Sequence, residues 1–159
     1  MENIFKQFNK QYPGYSIVYI THYGSTLYGT NSESSDLDIK GIFVPTLEDV
    51  LLKKDPDHWT SNTNNTNTKN ESGDIDCQLF SIYKFFSLLS KGETGAVDIL
   101  FSMFRADTIV YEDTSFTNIC RNNYNLLISK KLDSFTNYAL GQAKKYGVKE
   151  SNFLLMSKL

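Results

Sequence analysis

Apolar and polar positions along this chain fall into short blocks with two different periods. Ile17-Val18-Tyr19-Ile20 is a continuous β-branched and aromatic run behind the turn pair Pro13-Gly14, and it predicts a core strand ending near Tyr23. Gly24-Ser25 opens a short turn or helix through Thr26-Leu27-Tyr28, closed by Gly29, and Asn31 to Ser35 is polar loop. A second strand is expected from about Asp36 to Val44, stopped at Pro45, which has no N–H to extend a ladder. Thr46 stands where a helix N-cap belongs, with Glu48 and Asp49 in the first turn.

Ser61 to Asn70 is a low-complexity run of Asn, Thr and Ser with nothing to bury, and it reads as a flexible loop inside one domain. Beyond it, Ile75 to Phe80 predicts a third strand, with Asp74, Asp76 and Gln78 on one face and Ile75, Cys77 and Leu79 on the other. Ser81 is the expected cap of a helix whose Ile82, Phe85, Phe86 and Leu89 recur at i, i+3, i+4 and i+7, ending at Gly92. Ile109-Val110-Tyr111 predicts a short strand. A last helix is expected near 130–145, where Leu132, Phe135, Tyr138, Ala139, Gln142 and Ala143 form one stripe that Gly147 ends. No internal repeat is visible.

Composition narrows the class without naming a function. A length of 159 residues is about one domain, long enough to bury a core. Hydrophobic residues at 40% and aromatics at 14% argue for an ordered fold. A net charge of −2 gives no general attraction to nucleic acid or anionic membrane, which leaves any nucleic-acid contact to a local groove. Cys77 and Cys120 match no metal or redox spacing, alone or with His22 and His58, and read as thiols in a reducing cytosol. The polar start Glu2-Asn3 lacks a signal-peptide core, and no apolar run approaches the ~20 residues of a membrane span. A soluble, cytoplasmic protein with no membrane partner is expected.

The chemistry is concentrated in Gly24-Ser25 followed, after ten residues, by Asp36-Leu37-Asp38. On a strand, residues two apart project to the same side. Asp36 and Asp38 therefore point together and are spaced to converge on divalent metal, in the manner of two-metal phosphoryl chemistry. Lys40 follows on that face, placed for phosphate or a substrate backbone. Hard carboxylate oxygens predict magnesium, or manganese in its place. Gly24 permits close approach of a phosphate, and Ser25 adds a hydroxyl. A third carboxylate is expected from Asp76, with Asp74 on the same face as the fallback. Two competing motifs fail. A calcium loop starting at Asp36 has Gly41 in place but Lys40 fifth and Leu47 twelfth, and no Gly-Lys-Ser/Thr follows Gly24. His22 reads as a packed, hydrogen-bonded strand residue. Lys84 and Lys91 read as solvated, with contact to a triphosphate as the lesser alternative.

The stretch His22-Tyr23-Gly24-Ser25 through Ser35-Asp36-Leu37-Asp38-Ile39-Lys40-Gly41-Ile42-Phe43 closely resembles the signature of the DNA polymerase β-like nucleotidyltransferase superfamily. Within it the chain looks most like the nucleotidyltransferases associated with RNA repair in bacteria and phages. That narrower resemblance rests on Tyr28-Gly29-Thr30, on Asp76 ahead of Phe80-Ser81-Ile82-Tyr83-Lys84-Phe85-Phe86, and on Leu88 to Gly92. It rests also on Val97-Asp98-Ile99-Leu100-Phe101, where Asp98 is a shorter stand-in for a family Glu, and on Ile128 to Lys131 and Tyr138 to Gln142.

The resemblance implies an α/β (α+β) fold, a small mixed sheet flanked by helices. It implies a catalytic domain over residues 1–128 and a C-terminal helical segment, 129–159, shorter than in the relatives. It implies that Asp36, Asp38 and Asp76 bind metal and act in catalysis. Gly24, Ser25 and Lys40 are expected to bind the nucleotide, ATP or another nucleoside triphosphate. The acceptor is expected to be a hydroxyl, at an RNA end or on another molecule. A protein-modifying enzyme of the antitoxin type and a non-catalytic nucleotide-binding or interaction module stay open beside it.

Overall fold

The computed structural model describes residues 1–32, 35–62, 75–129, 136–137 and 140–141. Helix α1 (Glu2–Gln11) leads into strand β1 (Ser16–His22), the short helix α2 (Gly24–Tyr28) and strand β2 (Leu37–Val44). Helix α3 (Leu47–Leu51), strands β3 (His58–Asn62) and β4 (Ile75–Ser81), and helices α4 (Ile82–Ser90) and α5 (Thr94–Ser102) follow. Strand β5 (Ile109–Glu112) and helices α6 (Thr114–Asn122) and α7 (Tyr124–Leu127) complete the order. The strands form one mixed sheet in the order β3-β4-β2-β1-β5, in which only β2 and β4 run parallel.

Alternation along the strands sorts the core into two layers. Ile39 and Phe43 of β2, with Cys77 and Leu79 of β4, pack beneath Ile4 and Phe8 of α1. Ile42 points the other way and joins Phe85 and Leu89 of α4, Ile99 and Leu100 of α5, and Cys120 of α6. On β1 the alternation slips, since Ile17 and Ile20 face α1 while Val18 and Tyr19 face α4 and α5. A register shift between Ile17 and Tyr19 accounts for this, because an extra residue in one strand switches the faces that follow. Gly41 stands inside the sheet, where a Cβ would run into the Tyr19 carbonyl oxygen and the Leu79 side chain. It lets β1 and β2 close up around that irregularity.

The expected strands and caps are present, with shifts at their ends. β1 ends at His22 and β2 begins at Leu37, so Asp36 lies just outside the ladder. Thr46 and Ser81 cap α3 and α4 by accepting from Asp49 N–H and Lys84 N–H. The first two residues of the expected Asn-rich loop, Ser61 and Asn62, belong to β3 instead. Its pairing with β4 satisfies their backbone where composition shows no apolar pattern. Most of that loop lies outside the described residues, as do Asp74 and the stripe expected near 130–145, apart from residues 136–137 and 140–141, which are helical. No helix among the described residues is long and apolar enough to cross a membrane.

Helix α1 is held by aromatic burial rather than by length. Phe8 is fully buried and its ring meets Phe43 at 5.2 Å and Trp59 at 5.5 Å, the latter edge to face. Trp59 Nε1 donates to Gln11 Oε1 at 2.9 Å, which ties β3 to the end of α1. Phe8→Ala is expected to cost about 3–5 kcal/mol. Urea unfolding followed by the fluorescence of Trp59, the one tryptophan of the chain, measures it directly.

Candidate active site

The parallel pairing of β2 with β4 sets Asp38 opposite Asp76 and Lys40 opposite Gln78. Antiparallel β3 extends both rows, with Asn62 opposite Asp76 and Thr60 opposite Gln78. Directly paired residues share a face, so one face carries Asp38, Asp76 and Asn62 in one row and Lys40, Gln78 and Thr60 in the next. These residues line a groove of about 390 Å³. Farther along β2 the same face carries Ile42 into the core under α4 and α5. The polar rows are therefore the open end of a packed surface.

The Gly24-Ser25 turn is brought to this groove by β1. The Tyr23 N–H donates to the Asp38 carbonyl at 2.8 Å, so the chain leaves β1 alongside the first carboxylate of the row. Gly24 has φ +56°, and a Cβ on it would collide with Asp38 Oδ2. Only glycine meets both demands, a left-handed backbone and a carboxylate against its α-carbon. α2 then runs to Gly29, which ends it in the left-handed conformation.

Electrostatic crowding marks Asp38. Burial raises its carboxyl above the usual carboxylate range, Asp76 and Asp36 raise it further, and Lys40 opposes them. Burial lowers the Lys40 ammonium, against the pull of Asp98 and Asp38. Among the described residues, no three His, Cys, Asp or Glu side chains close around a single point. The facing pair is Asp38 and Asp76, with Asp36 near enough to act on Asp38. A divalent cation suits this donor set, because hard carboxylate oxygens of like charge crowd together there and gain from an ion between them.

The structure thus brings Gly24, Asp36, Asp38, Lys40 and Asp76 to one groove end, with Ser25 next to Gly24 on α2. His22 is not among them. It pairs with Ile39, whose side chain lies in the α1 core, so it faces away from the carboxylates. Its expected hydrogen bonding is also incomplete, since Nδ1 is buried with no partner among the described residues. Lys84 lies at the surface, where it pairs with the exposed Asp57 at 2.7 Å. Cys77 backs onto the groove from the core side, and burial pushes its thiol up to about 12, far from a reactive thiolate. Both cysteines are free and buried.

Sequence reasoning left Asp98 without a role at the site. The structure places it on α5, where its Oδ2 accepts from the Tyr23 hydroxyl at 3.0 Å and the Tyr28 hydroxyl at 2.6 Å. Lys40 Nζ lies 3.8 Å from the centroid of the Tyr23 ring. The signal available was the Val97 to Phe101 block, which drew attention to Asp98 but not to its partners.

The model of a family described as RlaP, the RNA repair pathway DNA polymerase beta family, matches residues 1–154. The chain is similar to the "Uncharacterized 38.9 kDa protein in nrdC-mobD intergenic region" of Enterobacteria phage T4, at 37% identity over 132 residues. That match takes in 82% of this chain and 39% of the phage protein, so the chain spans about two fifths of the relative's length.

Two substitutions probe the groove. Gly24→Ala is expected to cost about 1–3 kcal/mol of stability, because it strains the left-handed backbone and displaces Asp38; chemical denaturation measures it. A carboxyl raised in the folded state binds its proton more tightly when folded. Its charge therefore costs stability above the carboxylate range, and the cost disappears as pH falls through the raised value. Asp38→Asn is accordingly expected to raise the melting temperature of the metal-free protein by about 1–4 °C at pH 7. The gain should vanish in acid, as calorimetry across pH would record.

Proposed function

Because the chain belongs to the RNA repair pathway DNA polymerase beta family, we propose that it is a metal-dependent nucleotidyltransferase that moves a nucleoside monophosphate from a triphosphate to an acceptor hydroxyl, with an RNA end as the favoured acceptor. The observation that carries this reading is the register of β2 and β4, which sets Asp38 abreast of Asp76 beside the Gly24 turn. A lone Asp-x-Asp occurs in many turns. A facing carboxylate on the next strand and a glycine forced against the first one do not follow from a turn.

In this reading Gly24 and Ser25 hold the β- and γ-phosphates, and Lys40 lies beside them with its charge available to phosphate oxygens. Asp36, Asp38 and Asp76 would hold magnesium or manganese, which when bound supplies neutralising charge at the phosphoryl oxygens. Asp76, the carboxylate nearer β3, takes part in removing the proton from the acceptor hydroxyl. The acceptor oxygen then bonds to the α-phosphorus, the bond from that phosphorus to the bridging oxygen breaks, and pyrophosphate leaves. Asn62, Thr60 and Gln78 continue the groove on the side away from the Gly24 turn, where an acceptor has room to lie.

Incubation with labelled nucleoside triphosphates, magnesium and RNA bearing free hydroxyl ends tests the proposal. Pyrophosphate release coupled to a labelled acceptor is expected, falling to background in Asp36→Asn and Asp38→Asn. Stabilisation by magnesium and ATP without turnover would overturn catalysis in favour of a nucleotide-binding module. At 100 times the dissociation constant that stabilisation is about 2.7 kcal/mol.

A further inference from the structure

The turn assigned above to the triphosphate is fastened at both ends by one carboxylate from a distant helix. Tyr23 immediately precedes α2 and Tyr28 is its last residue. Both hydroxyls donate to the same oxygen of Asp98, at 3.0 and 2.6 Å, across 75 and 70 residues of chain. Bonds from a hydroxyl to a carboxylate are among the stronger ones, and the shorter of these lies in that range. α2 needs such help. Its five residues are too few to hold a helix unaided, and only Leu27 among them is buried.

The same carboxylate acts on Lys40. The ammonium rests on the face of the Tyr23 ring, and both Asp98 and Asp38 favour its charge. α5 packs directly on this pair: a Cβ at Gly95, one turn before Asp98, would be in ordinary contact with Lys40 Nζ and the Tyr23 hydroxyl oxygen, 3.5 Å from each. Asp98 itself lines neither wall of the groove that holds Asp38 and Asp76. Its contacts toward that groove run through the two tyrosines and the charge of Lys40.

We propose that Asp98 is the positioning residue of the triphosphate site, clamping Tyr23 and Tyr28 so that the Gly24-Ser25 backbone and the Lys40 ammonium are set before nucleotide arrives. The role in nucleotide binding rests on the nucleotidyltransferase reading; the clamp itself does not. Two measurements separate them. In the unliganded protein, amide exchange at Leu27, Gly29 and Thr30, whose N–H groups bond within and just after α2, is expected to quicken at least about tenfold in Asp98→Asn, with strand amides unchanged. In the same variant the dissociation constant for magnesium-ATP, read by calorimetry, is expected to rise at least about tenfold. Asp98→Glu, which keeps the charge, should recover part of both effects. Tyr28→Phe removes one of the two bonds at an exposed residue and should give a smaller loss of each kind. Unchanged exchange across α2 in Asp98→Asn and Tyr28→Phe would overturn the clamp, whatever the protein catalyses. A loosened turn with magnesium-ATP affinity within about twofold of wild type would overturn the positioning role and leave the nucleotidyltransferase reading standing. A wild-type protein that binds no magnesium-nucleotide would overturn that reading and the positioning role with it.

Discussion

Two carboxylates of like charge are held abreast on β2 and β4 by a pairing that their own interaction opposes. Asp38 and Asp76 gain nothing from each other, and burial adds to the repulsion by penalising the charged form of Asp38. What holds the register is the opposite face of the same two strands. There Ile39, Phe43, Cys77 and Leu79 are buried under α1, and a slip by one residue would turn all of them to the groove. Apolar burial on one side thus fixes a charge arrangement on the other. A positive charge placed between the two carboxylates would relieve that repulsion, which is the part proposed for a divalent ion.

The groove is completed by parts that each come from a different element. β1 delivers the Gly24 turn against Asp38. β3 adds Asn62 and Thr60 to the two polar rows, and Asp98 of α5, outside the groove, holds Tyr23 and Tyr28 on either side of the Gly24 turn. Lys40, the cation nearest Asp38 on its own strand, is drawn aside onto the Tyr23 ring rather than laid over the carboxylate pair. Lys40 therefore offsets the crowding of Asp38 by Asp76 and Asp36 only in part, and the Asp38 carboxyl stays raised.

Much of the candidate site's layout was legible in the chain because its local signals are strong. Gly24, Asp38 and Asp76 sit in segments where alternation and turn chemistry agree, and caps at Thr46 and Ser81 mark true helix starts. Other elements carry weak signals. β3 reads His-Trp-Thr-Ser-Asn, with one apolar residue, and exists because β4 supplies its partners. α1 is mostly polar and buries only Ile4 and Phe8, so its helical stripe is thin. α5 buries Ala96, Ile99, Leu100 and Ser102, a packed helix with polar positions scattered through it and little periodicity to read. Asp36 was expected inside the second strand and lies just before it, since the ladder with β4 begins at Leu37.

By itself the chain determined the Gly24-Ser25 turn beside a paired-carboxylate motif, and the strand alternation that sends Asp38 and Lys40 to one side. Both are local properties, set by spacing along the backbone. Only the tertiary structure decided which carboxylate faces Asp38, because a parallel pair is joined through a long connection and its register depends on core packing that no local window contains. It likewise decided that Asp98 grips Tyr23 and Tyr28, a contact that closes 75 and 70 residues of chain and becomes possible only when α5 packs against the sheet.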